Sequence, residues 1–339
     1  MAWLEQGSYE KINYSLRPAK NIERKMMFEI FNRLSVINHM SDYRYIGFGS
    51  AYFSDFILAH KTFGISDLIS IEIDDEEVND RFRFNKPYTC IDLKFGYSKE
   101  ILPTLKLSEK KSILWLDYDK SLNLDMFEDV ATFFREACPG SVFAITVNVE
   151  PYRIPPAKKD VSEKDYRREK LEKAVGSKRI PHEYLDINLG NKENPQAIIT
   201  ILNNEISNIL NVRNGSKSTG NKFLYKQLLN FLYKDGALML TLGGILYSES
   251  QNSEIERMAF HNLDYVRESN ESLLINVPNL TYKEIRSLDN LLPHRIDIDS
   301  GEIDRSDSNF VNIPVLKPID IINYAKVYRF FPNFAESTQ

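Results

Sequence analysis

Apolar residues recur at helical spacing close to the start of the chain. Asn21 is a suitable N-cap, and the apolar positions that follow it recur every three or four residues, along one face of a helix. This pattern predicts an amphipathic helix that leads into the core, preceded by an irregular arm over residues 1–20. The face consists of Ile22, Met26, Met27, Ile30, Phe31, Leu34 and Ile37.

From Tyr45 onward, short apolar runs alternate with amphipathic segments. The runs are rich in β-branched and aromatic residues, which is typical of strands buried on both faces of a parallel sheet. One predicted helix ends at Gly64, and another ends at Pro139-Gly140. The alternation predicts a Rossmann-like, doubly wound α/β sheet. The predicted strands are Tyr45–Phe48, Leu68–Ile73, Thr89–Leu93, Ser112–Leu116 and Ser141–Val147.

The alternation stops after Asn148. Residues 151–222 are polar, and the stretch 158–179 holds nine Lys and Arg against five Asp and Glu. This composition predicts an insertion with one or two helices, which is either a solvated surface or a lid that faces a substrate or partner. Apolar order resumes at Phe223, where the pattern predicts a helix over 223–236, strands over 237–248 and 272–278, and a helix before Pro293.

These patterns divide the chain into four parts. They are an N-terminal arm and helix (1–42), a ligand-binding Rossmann-like core (43–150), a polar insertion or lid (151–222), and a C-terminal part that completes the sheet and adds further elements (223–339). With 339 residues, 42% of them hydrophobic, the chain can form one large core with a smaller appended unit.

Charge and cysteine content narrow the class of protein. A net charge of −5 does not favour extensive duplex binding, although a local basic patch remains open. Cys90 and Cys138 lie in or beside apolar runs, which favours two buried thiols over a disulfide and indicates a reducing cytoplasm. No apolar run approaches the roughly 20 residues of a membrane span, and the first residues lack the apolar region of a secretory signal. We therefore expect a cytoplasmic protein.

A glycine-containing turn follows the first predicted strand and opens a helix. The segment reads Ile46-Gly47-Phe48-Gly49-Ser50. Glycines allow close approach of the backbone to a ligand, and the helix N-terminus offers unpaired N–H groups. The third glycine of the dinucleotide fingerprint is absent, and Phe53 and Ser54 occupy its neighbourhood. The turn therefore favours a ligand without phosphate, such as S-adenosylmethionine (SAM), over NAD.

Carboxylates follow the second and fourth predicted strands. Glu72 can accept both ribose hydroxyls of a nucleoside. Asp117 and Asp119 can hold an amine, bind a divalent ion or act as a base. Gly96 and Ser98 follow the third strand, where an adenine would lie. The structural alternatives are a surface Glu at a strand end and an exposed acidic turn.

Taken together, these segments resemble class I SAM-dependent methyltransferases, and specifically the small-molecule, catechol-type O-methyltransferases. The resemblance covers about residues 43–150 and rests on the glycine turn, LISIEID, GYSKEILPTLK, ILWLDYD and PGSVFAITVN, in that order. RPAKNIERK, GFGSAYFSDF and WLDYD further resemble a group of bacterial proteins labelled as O-methyltransferases.

The resemblance implies SAM as the cofactor, with Asp117 and Asp119 orienting or deprotonating the acceptor. In that family Asp117 would help bind Mg²⁺ together with an Asp-Asn pair after the fifth strand. This chain reads Thr146-Val147-Asn148 there, so only Asn148 could correspond to that pair and the acid is missing. Mg²⁺ therefore stays open as a second cofactor, and no metal ligand is assigned. The predicted cofactor-binding residues are Gly47, Phe48, Gly49, Ser50, Asp55, Glu72, Ile73, Gly96, Tyr97, Ser98, Asp117, Tyr118 and Lys20.

We therefore expect an enzyme that methylates an oxygen, or a nitrogen, of a small-molecule acceptor. Two alternatives stay open: an RNA methyltransferase that uses the basic insertion, and a non-catalytic module that binds a nucleotide or a protein partner. Arg17 and Lys20 would close over the cofactor or an anionic substrate, or else belong to a surface arm. No membrane partner is expected, and a homodimer is left open.

Overall fold

The computed structural model describes residues 17–156, 161–304 and 316–332. Within these residues eight strands form one sheet. The first three strands are short, and the two longest strands form a hairpin in the second half of the chain. The strands are β1 Arg44–Gly47, β2 Asp67–Glu72, β3 Ile91–Phe95, β4 Ser112–Ser121, β5 Ser141–Asn148, β6 Phe223–Lys234, β7 Leu238–Ser248 and β8 Leu273–Ile275.

The strand order is β3-β2-β1-β4-β5-β7-β6-β8. Strands β1 to β5 are mutually parallel, β7 runs antiparallel between β5 and β6, and β8 is parallel to β6. The chain first builds outward from β1 to β3 and then returns to add β4 and β5 on the other side. This reversal between β1 and β4 creates the crevice in which doubly wound sheets bind ligands. The predicted fold class is confirmed.

Successive side chains of a strand point to opposite faces of the sheet, and here both faces are apolar. Helices therefore cover both faces. In β4, Trp115 belongs to one apolar cluster while its neighbours Leu114 and Leu116 belong to the other. The helices are α1 Pro18–Asn32, α2 Ser54–Phe63, α3 Glu76–Asn85, α4 Ser98–Ile101, α5 Leu124–Glu136, α6 Glu163–Val175, α7 Glu193–Asn214, α8 Asn252–Arg257, α9 Tyr282–Asp289 and α10 Pro318–Val327. No helix among the described residues is long and apolar enough to cross a membrane.

Helix α1 begins three residues before the predicted N-cap. Pro18 occupies the first turn, where its fixed φ and missing N–H are tolerated, so Asn21 already lies inside the helix. The true N-cap, Arg17, makes no capping hydrogen bond with its side chain. Asp235, in the β6–β7 turn, instead accepts hydrogen bonds from the amides of Ala19 (3.4 Å) and Lys20 (2.9 Å).

The predicted helix over 223–236 is wrong, because this segment forms strand β6. β6 lies between β7 and β8, and both of its faces are covered. A strand buried on both faces carries apolar residues at consecutive positions, and such a run can imitate helical spacing. A register shift between Gln227 and Leu229 blurs the alternation further.

The polar insertion contains two different helices. Helix α6 is charged and forms ion pairs along its own surface, such as Arg167–Glu163 and Lys173–Glu169. Helix α7 packs against α5, and its buried Ile199 and Leu202 belong to the main core. The second half of the predicted insertion is thus a core helix between β5 and β6. Residues 1–16 of the predicted arm, 157–160 of the insertion and the tail from Asn333 lie outside the described residues.

Candidate active site

A cavity of about 530 Å³ lies at the carboxyl ends of β1 to β4, where the strand order reverses. A cavity of this size suits a small-molecule ligand or cofactor. Parallel strands place their carboxyl ends along one edge, so segments that are distant in sequence meet in its wall. The cavity brings together Phe48, Gly49, Ser50, Asp55, Glu72, Ile73, Gly96, Tyr97, Ser98, Asp117, Tyr118 and Asp119.

The turn after β1 is too tightly packed for a side chain at Gly49. A Cβ atom there would lie 2.5 Å from the Ser70 hydroxyl oxygen and 2.6 Å from the Phe53 ring. Ser50 (φ +51°) and Phe53 (φ +46°) adopt the left-handed conformation, which is unusual for residues other than glycine. Such strain concentrates at functional sites.

Glu72 is anchored to this turn. Its Oε1 atom accepts hydrogen bonds from the Gly49 amide (2.9 Å) and the Ser70 hydroxyl (2.5 Å). Only 5% of the residue is exposed. Burial raises the pKa of the carboxyl to about 7, although the hydrogen bonds from Ser70 and Gly49 act to lower it. The structure therefore fixes a carboxyl group in the cavity wall at the tip of β2.

The wall near β3 rests on an aspartate that the sequence interpretation missed. Asp129 of α5 accepts hydrogen bonds from the Tyr118 hydroxyl and from the Ser98 hydroxyl (2.7 Å). Burial raises the pKa of Asp129 to about 6. Tyr118 also packs edge-on against the Phe48 ring, with centroids 5.0 Å apart. Asp129 thus fixes the positions of the Ser98 and Tyr118 side chains in the cavity wall. The only sequence signal was an acid among the apolar positions of α5.

Gly47 and Lys20 are the two predicted cofactor-binding residues that do not line this cavity. At Gly47, a Cβ atom would lie 3.0 Å from the Trp115 carbonyl oxygen and 3.6 Å from Asp55 Oδ2, so this glycine permits close packing beneath the turn. Asp55 is 8% exposed, and its Oδ2 atom accepts a hydrogen bond from the Tyr45 hydroxyl (2.6 Å).

A second cavity, of about 550 Å³, adjoins the first. Asp117, Tyr118 and Asp119 line both, so the end of β4 forms the partition between them. The remaining wall comes from the start of α1 and from the β6–β7 turn. These residues are Arg17, Lys20, Tyr233, Asp235, Gly236, Ala237 and Met239.

Lys20 forms the centre of a buried polar network beside this partition. Its ammonium group lies 2.7 Å from Asp117 Oδ1, 2.8 Å from Glu23 Oε2 and 3.0 Å from the Tyr233 hydroxyl. It also lies 4.4 Å from the centre of the Trp115 ring. Glu23 is fully buried, and burial raises its pKa while Lys20 opposes the shift.

The magnesium site of the catechol-type enzymes does not fit these residues. The Lys20 ammonium already neutralises Asp117, and the Asn148 side-chain oxygen accepts the Glu150 amide at 2.9 Å. In the described part of the chain, no group of three His, Cys, Asp or Glu side chains could hold a metal ion.

The fold and its cavities define a doubly wound α/β protein with a ligand site at the topological switch point of its sheet. The family model described as "Putative O-methyltransferase" matches residues 12–339. The chain belongs to this family, which confirms the resemblance to O-methyltransferases drawn from its motifs. No curated protein matches the chain.

Solved structures with similar folds are distant in sequence. LepI in complex with SAM is 10% identical with a TM-score of 0.35, over 64% of this chain and 46% of LepI. An arsenic(III) SAM methyltransferase from Chlamydomonas reinhardtii is 10% identical with a TM-score of 0.35, over 62% of this chain and 64% of that one. An O-methyltransferase family protein from Burkholderia thailandensis is 11% identical with a TM-score of 0.29, over 66% of this chain and 57% of that one. This chain thus spans less than two thirds of each of these proteins, and less than half of LepI.

Proposed function

We propose that this protein is a SAM-dependent methyltransferase that acts on an oxygen, or a nitrogen, of a small-molecule acceptor. The observation that carries this proposal is the first cavity, where Glu72 and the turn at Gly49 share one wall at the switch point of the sheet. Membership of the O-methyltransferase family supports the same reaction. The preference for oxygen rests on the family description alone.

In this proposal the first cavity holds the methyl donor. Glu72 accepts the ribose hydroxyls, and Gly96, Tyr97 and Ser98 flank the adenine beyond β3. Phe48, Ser50 and Ile73 form the rest of the donor wall. When bound, SAM supplies an electrophilic methyl group, whose transfer leaves S-adenosylhomocysteine (SAH). Phe48 and Tyr118 present aromatic surface that helps to exclude water from the donor.

The second cavity then holds the acceptor, because it meets the first at Asp117, Tyr118 and Asp119. With SAM bound, its methyl group would pass to the acceptor oxygen or nitrogen, and the sulfur–carbon bond would break as the new bond formed. Asp117, Tyr118 and Asp119 would hold the acceptor beside the donor, and this proximity would supply much of the rate. Asp117, held by Lys20, orients the acceptor, and Asp117 or Asp119 receives its proton. No step passes through a metal ion.

The structure gives less support to RNA as the acceptor. The basic stretch in α6 is largely occupied by ion pairs with acids of the same helix. Arg179 is likewise paired with Glu205 of α7 at 3.0 Å. The neighbouring acids lower the net positive charge that this surface offers to phosphate groups. A solvated, ion-paired helix surface accounts for the composition of this stretch.

Calorimetric titration with SAM and SAH tests the donor site directly. We expect micromolar binding by the wild-type protein and a loss of at least about tenfold in Glu72→Ala, since one strong hydrogen-bonding group contributes about 1.5–3 kcal/mol. Glu256→Ala, on exposed α8, is the matched control and should bind like wild type.

If the wild-type protein bound neither compound, the methyltransferase proposal would be wrong. Binding without transfer to any acceptor in a screen of small hydroxyl and amine compounds, with or without Mg²⁺, would instead favour the non-catalytic module.

A further inference from the structure

Arg24 is a buried cation in the wall of the first cavity. It lies on α1, is 6% exposed, and its Nε atom has no hydrogen-bond partner. A buried N–H group that makes no hydrogen bond is costly, so such groups are almost always paired with the protein, with water or with a ligand. Here the open side of the guanidinium is the cavity itself. An anionic group of the cavity's ligand would satisfy it.

The position of Arg24 identifies which part of the ligand it would meet. Its charge acts on Asp55 and Tyr45, both beside the turn at the end of β1. Glu72 lies at the end of β2, and Gly96 follows β3, so the nucleoside half of a ligand extends away from Arg24. Arg24 therefore belongs to the end of the cavity beside Asp55 and the turn after β1, away from the proposed adenine position at Gly96.

Arg24 and Asp55 form a pair of opposite charges in the same wall. Both are more than nine-tenths buried, and both line the first cavity. An α-amino acid is a zwitterion, whose carboxylate and ammonium groups match such a pair. A guanidinium is especially suited to the carboxylate because its planar donors can bind both oxygens at once.

We infer that Arg24 binds the α-carboxylate of the donor's amino-acid end and that Asp55 receives its α-ammonium group. This inference rests on the proposed function, because it assigns one end of the SAM molecule. Arg24 then selects donors and products that retain the amino acid over nucleosides that lack it. The same helix serves both cavities, since Lys20 and Arg24 lie four residues apart on one face of α1.

Binding of SAH and of 5′-methylthioadenosine, compared by calorimetry, tests this inference. The two compounds share adenosine and a thioether, but only SAH carries the amino acid. Arg24→Met keeps the length of the side chain and removes its charge. It should weaken SAH binding about 10- to 100-fold, as expected for a lost charge-assisted hydrogen bond, and leave binding of 5′-methylthioadenosine unchanged. Arg24→Lys keeps the positive charge but loses the planar pair of donors, so its affinity for SAH should lie between those of the wild type and Arg24→Met.

Lys61→Met, which removes an exposed positive charge from α2, is the control for net charge and should bind both compounds like wild type. A cooperative thermal unfolding transition shows that each variant is folded. If Arg24→Met does not fold, the same comparison of the two compounds is made with Arg24→Lys. An equal loss of both compounds, or no loss of either, would overturn the role of Arg24 while wild-type SAH binding still stood. Absence of SAH binding by the wild type would overturn the donor site itself.

Discussion

At the scale of single residues, the site depends on buried charges whose partners come from distant segments. Glu72 is held by the Gly49 amide and the Ser70 hydroxyl, and Lys20 is held by Asp117, Glu23 and Tyr233. Each hydrogen bond contributes about 1 kcal/mol, but an orphaned buried charge costs considerably more. These residues are therefore fixed in position before any ligand arrives, which is what binding and catalysis require.

Glu72 gives a prediction for stability as a function of pH. Its pKa is about 7 in the folded protein, against 4.5 for a glutamate free in solution, so the folded carboxyl binds its proton more tightly than the unfolded one. Wild-type stability should consequently fall as the pH rises from 4.5 through 7. The difference between the two pKa values corresponds to roughly 3 kcal/mol.

Glu72→Gln imitates the protonated side chain and can still accept both hydrogen bonds. Urea unfolding should find it close to wild type at pH 5 and more stable by about 1–3 kcal/mol at pH 8. Glu256→Gln, at an exposed position, should show no such gain. A pH-independent difference between Glu72→Gln and wild type would contradict the burial argument.

The sequence predicted the site residues that lie at the ends of strands, because their position along the strand is enough to assign them to the edge of the sheet. Glu72, Gly49 and Asp117 each follow a short apolar run, and the ends of parallel strands share one edge. Arg24 and Glu23 were missed because they lie on a helix, where only rotation about the helix axis decides what a side chain meets. A Lys-Glu-Arg set on the apolar side of α1 was the available signal.

At the scale of elements, the orientation of α1 controls both cavities. Its N-terminus receives its cap from Asp235 in the β6–β7 turn rather than from its own N-cap residue. The Asp235 carboxylate also complements the positive end of the helix dipole. The turn and the helix therefore form one structural unit that places Lys20 and Arg24.

Asp235→Ala should lower the free energy of unfolding by about 1 kcal/mol, the usual cost of losing a helix cap. Asp235→Asn keeps an oxygen that can accept from the Lys20 amide and should retain most of that stability. Urea unfolding of the two variants side by side measures the difference. If Asp235→Ala were as stable as wild type, the cap would contribute nothing.

The elements themselves were predictable to different degrees. Strands β1 to β5 were found within a few residues, except that β4 extends to Ser121, because they are short and separated by clear helix stops. Strand β6 was not predicted, because it lies between two strands with both faces covered and therefore carries apolar residues on both faces. Helix α7 was missed because residues 151–222 were judged by their overall composition. The charged residues of α6 dominate that composition and conceal the apolar face of α7.

At the scale of the whole molecule, the hairpin of β6 and β7 adds a second cavity beside the first. Strands β1 to β4 alone provide the edge that holds the first cavity, and the β6–β7 turn closes the second against α1. The proposed donor and acceptor sites are thus built from different parts of the chain and meet at β4. Substitutions at hairpin residues that line only the second cavity, other than Asp235 with its cap on α1, should consequently affect the acceptor without affecting the donor.

Ala237 offers the means to separate the two sites, because it lines the second cavity and not the first. Ala237→Trp should fill the acceptor space and reduce methyl transfer from labelled SAM to a responsive small-molecule acceptor by at least about tenfold, equivalent to about 1.4 kcal/mol of barrier. SAH affinity, measured by calorimetry, should stay the same, since the donor wall is untouched. Ala237→Ser, with little added volume, should behave like wild type in both assays. If Ala237→Trp transferred methyl groups normally, the second cavity would not be the acceptor site, and the acceptor would have to approach Asp117 from the first cavity instead.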